Sequence, residues 1–331
     1  RLLNPDLQLT PIIETVPIPQ KDGKTTPSID DHLDGFAKTL KKCWGDSRPI
    51  FVDLFQVQNE GTLQNGSNVH SEIFSQCKAE GIKVVPVIGL SSSDLYKDDL
   101  VQELSSSNRG ACLRLDASDF DAISSDTTLL DKFSNTFSLT PESVDLVIDF
   151  GEIARNQSST ISMAAKAGLK ALPHLKSWRS VTLAAGSMPP DLSSVDSGSV
   201  DKLPRIEWQL WNEVQKSIDR EIQFGDYTVQ HPEILTLDMK LISKTMVAKI
   251  KYTTAKDWLA IKGKSLYKYK YAQFHELAKI LVNHEDFCGR EFSWGDAYIS
   301  ECAEKTVGTG SLQTWVTVSV NHHITYVCHQ L

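Results

Sequence analysis

The sequence predicts an α/β fold of the TIM-like (β/α)-barrel type, and three observations support this prediction. From residue 9 to about residue 230, short apolar stretches rich in Val, Ile and Leu alternate with helical segments, as in parallel sheets covered on both faces. Seven such units are visible, and a repeat of this number favours a barrel over an open, doubly wound sheet. No Gly-x-Gly-x-x-Gly pattern follows the first strand, which removes the main reason to expect a Rossmann fold.

The predicted strands share near-continuous apolarity and a high content of Val, Ile and Leu. They cover residues 10–16, 49–55, 82–90, 111–116, 144–150, 180–186 and 222–227. The segments between them, such as 28–43 and 69–80, have the apolar spacing of amphipathic helices. Ser28 followed by Asp31 resembles a capping box in which Asp replaces the usual Glu.

The chain changes character after the barrel strands, and we place the boundary between residues 1–240 and 241–331. Residues 187–204, rich in Ser, Pro and Asp, are predicted to form a loop long enough to suggest a function. The C-terminal part contains a lysine-rich β-hairpin, a helix near residues 271–283 and a final apolar segment. As an alternative, residues 246–252 are the strand that closes the barrel.

Composition and charge narrow the range of functions. The net charge of the 331-residue chain is −8, which does not suggest a general nucleic-acid binder, although a local basic patch can override it. Six cysteines occur without a Cys-x-x-Cys pair, which argues against a structural zinc site and favours a reducing, cytoplasmic environment. No apolar run approaches the length of a membrane span.

Eight short sequences occur together in a characteristic order and spacing. They are LTPIIE, IFVDL, VVPVIGL, VDLVIDFG, RIEWQLW, GDYT, FSWGDAYI and NHHIT. Over essentially the whole chain, the sequence resembles the phage and bacterial beta protein family. The resemblance implies a role in phage infection or antiviral defence, without a settled activity. It also implies that a further βα unit, absent from this chain, precedes Arg1 and supplies the eighth barrel strand.

Acidic residues stand at or near the ends of five predicted strands. They are Glu14, Asp53, Asp116, Asp149 with Glu152, and Asp226. In α/β barrels the chemistry lies at the carboxyl ends of the strands, so Glu14, Asp53 and Asp149 are candidate catalytic residues. Asp53, Asp116 and Asp149 are candidate ligands of Mg²⁺ or Mn²⁺, which prefer carboxylate oxygens. Alternatively, these acids cap the following helices or pair with an arginine such as Arg114 or Arg205.

The segment after the long loop contains Arg205, Glu207 and Trp211, which could line the same barrel mouth. Arg205 would then hold an anion or a phosphate, and both Arg205 and Glu207 are candidate catalytic residues. However, Ile206 and Leu210 lie at helical spacing, which also predicts an amphipathic helix with bulky anchors.

Two further groups lie near the C-terminus: Ser293 with Asp296, and His322 with His323. Asp together with His occurs in hydrolytic dyads and in metal sites. Adjacent histidines point in different directions, so at most one of them can belong to a given site. We therefore predict that Ser293 caps a helix and that His322 or His323 is a hydrogen-bonded packing residue.

Residues 244–270 contain eight lysines and a single acid, Asp257, in an otherwise acidic protein. The candidate binding residues in this segment are Lys249, Lys251, Lys262, Lys264, Lys268, Lys270 and Trp258. Lysines interleaved with aromatic residues are typical of grooves that bind single-stranded nucleic acid. The period of two in residues 249–252 and 267–271 favours instead a half-buried, extended hairpin, with apolar or aromatic residues on one face and solvated lysines on the other.

Two functional hypotheses follow from these residues. In the first, this is a phage-related or antiviral-defence protein that binds nucleic acid, or a phage or host protein, through the lysine-rich segment and residues 187–211. In the second, a divalent-metal-dependent hydrolase or nuclease uses the acidic barrel mouth. The lack of a recognisable catalytic signature in the sequence favours binding.

Overall fold

A half-barrel of seven parallel strands forms the larger part of the molecule. A computed structural model describes residues 8–19, 26–59, 62–90, 97–233 and 246–331. The strands of the half-barrel are β1 (Ile12–Glu14), β2 (Ile50–Asp53), β3 (Val84–Ile88), β4 (Ala111–Asp116), β5 (Val144–Glu152), β6 (Ser180–Gly186) and β8 (Gln223–Gly225). They pair in the order β1-β2-β3-β4-β5-β6-β8, and each pairing is parallel. The predicted strands are thus confirmed as a curled parallel sheet.

Helices cover the outer face of this sheet. They are α1 (Ile29–Leu33), α2 (Phe36–Cys43), α3 (Val69–Ala79), α4 (Lys97–Ser107), α5 (Ala117–Ser125), α6 (Thr128–Phe137), α7 (Ser158–Ala171) and α8 (Ile206–Gln215). The capping box of Ser28 and Asp31 is present at the start of α1. The helix predicted over residues 28–43 is interrupted at Gly35, whose φ of 70° requires the left-handed region that glycine adopts readily. Leu113 and Leu146 of the strands pack with helix residues such as Phe120 in the main core.

The inner face of the half-barrel carries a smaller apolar layer. Val85, Cys112 and Val147 are among its buried members, and Ile12 and Phe51 pack against them while partly exposed. Because side chains alternate between the two faces of a strand, the inner and outer layers are drawn from alternate positions of the same strands.

A separate antiparallel sheet of three strands forms the second part. Its strands are β7 (Val200–Pro204), β9 (Val247–Thr253) and β10 (Asp257–Ser265) in the order β7-β10-β9. The helices α9 (Leu266–Tyr269), α10 (Gln273–Val282), α11 (Trp294–Ala303) and α12 (Leu312–Gln330) follow. Ile250, Tyr252 and Ile261 of the sheet share a core with Phe274 and Trp315 of the helices.

The structure corrects three predictions about this region. Residues 187–204 are not wholly a loop, because β7 lies at their end and pairs with β10. Residues 246–252 do not close the barrel, because β9 pairs with β10 through an antiparallel register. Residues 267–271 are not extended, because α9 forms a helical turn directly after β10. In each case a partner distant in sequence or a buried anchor, here Leu266, outweighs the local pattern.

The two edges of the half-barrel, β1 and β8, are not hydrogen-bonded to each other within the described part of the chain. Helix α12 approaches both of them. His323 Nε2 lies 2.8 Å from Asp226 Oδ2, just after β8, and Cys328 Sγ lies 3.9 Å from the carbonyl oxygen of Gln8, before β1. Among the helices that the structure describes, none combines the length and the apolarity needed to cross a membrane.

Candidate functional site

Three of the predicted acidic residues meet at the carboxyl ends of the half-barrel strands, around Arg114. Arg114 Nη1 donates to Asp53 Oδ2 at 2.8 Å and to Glu14 Oε2 at 3.2 Å. Its Nε and Nη2 lie 2.9 and 2.7 Å from Asp149 Oδ2. Tyr227 Oη donates to the same Asp149 oxygen at 2.5 Å. We call Glu14, Asp53, Arg114, Asp149 and Tyr227 the rim cluster.

The local backbone holds two of these carboxylates in place. Asp53 Oδ1 accepts from the backbone N–H of Phe55, and Asp149 Oδ1 accepts from that of Gly151. These bonds turn one oxygen of each carboxylate toward the backbone and leave the other for Arg114. Burial raises the pKa of Asp53 and also raises the pKa of Tyr227. Tyr227 therefore stays protonated and donates.

An arginine occupies the position to which the carboxylates converge, and this limits what the rim cluster can do. Asp116, the third predicted metal ligand, is exposed and instead caps α5 by accepting from the backbone N–H of Asp119 at 2.8 Å. Across the described ranges, no group of three or more His, Cys, Asp or Glu residues is arranged to hold a metal ion. The geometry is that of a neutralising ion-pair network, in which a guanidinium bridges several carboxylates.

Arg205 and Glu207 lie in a different place, between the half-barrel and the three-stranded sheet. Both are buried, and Arg205 Nη1 donates at 2.9 Å to the carbonyl of Thr254 and to Gln330 Oε1. Arg205 Nε lies 3.4 Å from Glu207 Oε1, and Ser187 Oγ donates to the other Glu207 oxygen. Burial lowers the pKa of Arg205 and raises that of Glu207. The pair joins α8 to the C-terminal part and makes no hydrogen bond or ion pair with the described residues of the rim cluster.

Aromatic rings complete the environment of Arg205. Its guanidinium carbon lies 5.0 Å from the ring centroid of Trp208 and 5.5 Å from that of Trp258, within cation–π range. Trp258, a predicted binding residue, is fully buried here. The prediction that Ile206 and Leu210 face a core is confirmed by their burial on α8.

The two histidines near the C-terminus are both buried and hydrogen-bonded. His322 Nδ1 lies 2.9 Å from Asp296 Oδ2, and His322 Nε2 lies 2.9 Å from the carbonyl of Thr253. His323 bonds to Asp226 instead. The two imidazole rings therefore hydrogen-bond to different carboxylates, as predicted for adjacent residues that point in different directions. The prediction of a helix cap is also confirmed, because Ser293 Oγ accepts from the Asp296 N–H at the start of α11.

The predicted lysines divide into two groups with opposite environments. Lys249, Lys251 and Lys262 are half-buried, and we call this group the lysine face. Lys251 Nζ donates to the carbonyl of Val229 at 2.7 Å. Lys262 Nζ donates to the carbonyls of Leu192 and Val195, at 2.7 and 2.6 Å. The prediction of solvated lysines is therefore wrong for this group, because residues 187–199 cover that face of the sheet.

The second group is exposed and lies on and around α9. Tyr267, Tyr269 and Tyr271 are 66%, 46% and 37% exposed. The ammonium groups of Lys264 and Lys268 lie 5.3 and 5.2 Å from the Tyr269 ring centroid. Lys270 Nζ lies 5.4 Å from the centroid of Tyr267. Because the chain forms a helical turn here, lysines and tyrosines share one accessible surface, and we call these six residues the lysine–tyrosine surface.

Comparison with known families now adds to this geometry. The family model described as Beta protein matches residues 5–329. The chain belongs to the Beta protein family. No curated protein and no solved structure gives a significant match. The Beta protein match spans both sheets and the junction between them, so the half-barrel and the C-terminal part belong to the same family unit.

Sequence reasoning missed the residue that completes the rim cluster in this Beta protein. Tyr227 lies two residues after β8 ends at Gly225, and only its place in the GDYT segment draws attention to it. Sequence reasoning also missed the partners of Arg205, since Thr254 and Gln330 lie 49 and 125 residues further along the chain. No local pattern in the sequence indicates contacts of such separation.

Proposed function

We propose that this protein binds single-stranded nucleic acid through the lysine–tyrosine surface, as part of a role in phage infection or antiviral defence in the cytoplasm of a bacterial host. The observation that supports this proposal is the shared exposure of Lys268, Lys270, Tyr267 and Tyr269 around one helical turn. Single-strand binding needs cations for the phosphates and rings for the bases on the same accessible side.

The concentration of exposed rings supports a binding role for this segment. Three tyrosines within five residues are more than a third exposed, although tyrosine rings are usually covered in a folded protein. Leu266 is the buried residue that anchors the turn. Tyr271 stacks on the buried Phe274, whereas Tyr267 and Tyr269 are the most exposed of the three rings, and a ligand that stacks on these two gives a reason for their position.

The same features favour a single strand over a duplex. A tyrosine ring can stack only on a base whose face is free, and each such contact contributes about 1–3 kcal/mol. Bases of a duplex are already stacked on their neighbours, so the rings would gain little there. The lysines add a sequence-independent attraction that weakens as salt is added.

The test is fluorescence anisotropy with a labelled single-stranded oligonucleotide of about 20 nucleotides and the corresponding duplex. We expect tighter binding of the single strand, and a loss of about tenfold or more in affinity for Tyr267→Ala/Tyr269→Ala. Lys268→Gln/Lys270→Gln should reduce the slope of log K against log salt by about 1.4, since each phosphate contact to a single strand contributes about 0.7.

A matched control uses lysines of the other part of the molecule. Lys38 and Lys42 are exposed on α2, so Lys38→Gln/Lys42→Gln removes the same charge far from α9. If Lys268→Gln/Lys270→Gln and Lys38→Gln/Lys42→Gln reduced the affinity for the single strand equally, the effect of charge would be non-specific, and the proposal would be contradicted. Equal affinity of the wild type and the tyrosine variant would contradict it as well, and would direct the search to an acidic protein partner.

A second candidate function, metal-dependent hydrolysis, rests on the convergence of Glu14, Asp53 and Asp149. For a Mg²⁺ or Mn²⁺ ion to bind these oxygens, Arg114 would have to leave the rim cluster, in which it bonds to all three acids. Hydrolysis at this rim is therefore the weaker proposal, and a metal titration tests it below.

A further inference from the structure

We infer that the lysine face, formed by Lys249, Lys251 and Lys262, is a binding site for a phosphate group. This site is distinct from the lysine–tyrosine surface and does not depend on the function proposed for that surface. The inference rests on the register of the strands, on the bonds that the three ammonium groups make, and on the lack of a paired carboxylate.

The strand register brings the three lysines onto one face. Lys262 of β10 lies directly opposite Lys249 of β9, and directly opposed residues in an antiparallel pair point to the same side, about 5 Å apart at Cβ. Lys251 lies two residues further along β9 and therefore points to that side as well. The other face of this sheet, with Ile250 and Ile261, is buried against the helices.

The bonds of these lysines leave their positive charges uncompensated. Lys251 and Lys262 donate only to backbone carbonyls. Lys249 Nζ has neither a hydrogen-bond partner nor an ion-pair partner among the residues that the structure describes. Within the same residues, no carboxylate lies within 4 Å of any of the three ammonium groups, although many other lysines and arginines form such pairs, for example Lys202 with Asp286.

Two carboxylates of the surrounding segments belong to this region without pairing with it. Asp191 is exposed in the segment that covers the face, and its charge acts on Lys249. Asp201 of β7 lies opposite Ala260 in the register and accepts a hydrogen bond from Ser199 Oγ at 3.4 Å. Neither replaces the direct counter-charge that a half-buried cation normally has.

Asp191 acts on Lys249 and Lys262 only at a distance, and three neighbouring lysines with no directly bonded carboxylate among the described residues are an unfavourable arrangement unless an anion joins them. Burial, together with the charge of Lys249, lowers the pKa of Lys251 to about 7. Burial also lowers the pKa of Lys249. A phosphate offers several strong acceptor oxygens and up to two negative charges, which suits ammonium groups that act as compact point charges with three donors each.

The phosphate could be free, as in inorganic phosphate, pyrophosphate or a nucleotide, or it could belong to the backbone of a nucleic acid. Calorimetry of the full chain with pyrophosphate, at constant ionic strength and pH 7.5, tests the shared chemistry. We expect saturable binding accompanied by proton uptake, because a bound anion raises the pKa of Lys251 from about 7. Proton uptake is measured by repeating the titration in buffers with different ionisation enthalpies.

The deciding variant is Lys249→Met, because the Lys249 ammonium makes no bond that folding would lose. It should weaken pyrophosphate binding by about tenfold or more, as expected for the loss of a hydrogen bond to a charged group. Lys38→Met, on α2, should leave the affinity unchanged. Lys249→Arg keeps the charge and should retain most of the binding, which guards against a folding defect of the methionine variant.

Competition with the labelled oligonucleotide distinguishes the two sources of phosphate. Displacement of the oligonucleotide by pyrophosphate, in the wild type but not in Lys249→Met, would assign the lysine face to a backbone phosphate. Simultaneous binding of both ligands would assign it to a free phosphate compound. The inference is overturned if pyrophosphate does not bind at millimolar concentration, or if Lys249→Met binds it as tightly as the wild type does. The direct pyrophosphate titration needs no oligonucleotide and should be unchanged in Tyr267→Ala/Tyr269→Ala, so failure of this inference and failure of the proposed function can be told apart.

Discussion

The buried charges of the rim cluster and of the lysine face are paired in opposite ways. In the rim cluster, three carboxylates surround one guanidinium that bonds to each of them. In the lysine face, three lysine side chains lie side by side, and two of them donate hydrogen bonds to backbone carbonyl oxygens. The first group is complete within the protein, whereas the second lacks an anion.

This difference indicates whether the rim cluster or the lysine face is better suited to bind an external ligand. A buried ion is costly unless opposite charge and hydrogen bonds surround it. Arg114 meets that condition in the rim cluster, so an added cation would have to compete with it. In the lysine face two of the ammonium groups donate only to neutral backbone carbonyls, so an added phosphate does not have to displace a charged partner.

The largest effect should follow from breaking the rim cluster. Arg114→Met leaves three carboxylates close together without their cation, and loss of one partner from a buried ion pair typically costs about 3–5 kcal/mol. We expect a decrease of this size in the free energy of unfolding, measured by urea denaturation. Arg290→Met is the matched control, because Arg290 also bonds to two acids but at the exposed surface, where such pairs contribute below about 1 kcal/mol. Similar effects of both variants would mean that the rim cluster is not the stabilising network described above.

The second-largest effect is a pH dependence of the free energy of unfolding, which arises from Lys251 in the lysine face. Burial lowers the pKa of Lys251 in the folded protein to about 7, whereas the unfolded chain has a value near 10.4. Between these values the unfolded state binds more protons, so the free energy of unfolding rises with pH.

We expect this gain to be about 2 kcal/mol between pH 7.5 and 9, in the absence of phosphate. It is obtained as the difference between the wild type and Lys251→Met, which removes the titrating group. A wild type whose stability stays constant relative to the variant over this range would show that Lys251 stays protonated in the folded state, and would remove the basis for proton uptake on anion binding.

A smaller effect on stability is expected for Lys262, because this lysine already makes hydrogen bonds within the fold. Lys262→Met loses two hydrogen bonds to the carbonyls of Leu192 and Val195, and should lower the free energy of unfolding by about 1–2 kcal/mol. It should also speed proteolytic cleavage within residues 187–199, which these bonds hold against the sheet. Lys38→Met should change neither quantity, since surface substitutions usually stay within about 0.5 kcal/mol. Unchanged proteolysis in Lys262→Met would mean that other contacts hold the segment.

The smallest effect concerns metal ions at the rim cluster. We expect no saturable binding of Mg²⁺ or Mn²⁺ at millimolar concentration by calorimetry, because Arg114 already bonds to the carboxylate oxygens that a metal would use. Asp53→Asn/Asp149→Asn should therefore give the same titration as the wild type. Binding that is lost in this double variant would overturn our view of the rim and favour the hydrolase.

Local sequence was sufficient for several features. Each predicted barrel strand is present, and the central strands β3 and β5 have the apolar, β-branched residues of strands buried on both faces. The caps at Ser28 and Ser293 are also present, because the side chain that accepts the hydrogen bond and the N–H that donates it lie within one turn. The meeting of Glu14, Asp53 and Asp149 follows from their positions at the ends of parallel strands, which share one edge of the sheet.

The two lysine groups show where local sequence was insufficient. Lysines alternate with apolar or aromatic residues both in 249–252 and in 267–271, so the same environment was predicted for both segments. The structure gives them opposite environments. Residues 187–199, which precede β9 by about 50 residues, cover the first group, and no periodicity of the lysine-rich segment contains that information.

The sequence by itself determined the parallel strands, the helix caps and the acidic strand ends, because each depends on residues that are close along the chain. Only the tertiary structure decided that Arg114 occupies the centre of the acids, that Arg205 fastens the two parts together, and which lysines reach solvent. Burial and pairing of a charge depend on whatever packs against it, and those partners lie up to 125 residues away. An amphipathic period fixes which side chains share a face, but only packing decides whether that face meets water, protein or a ligand.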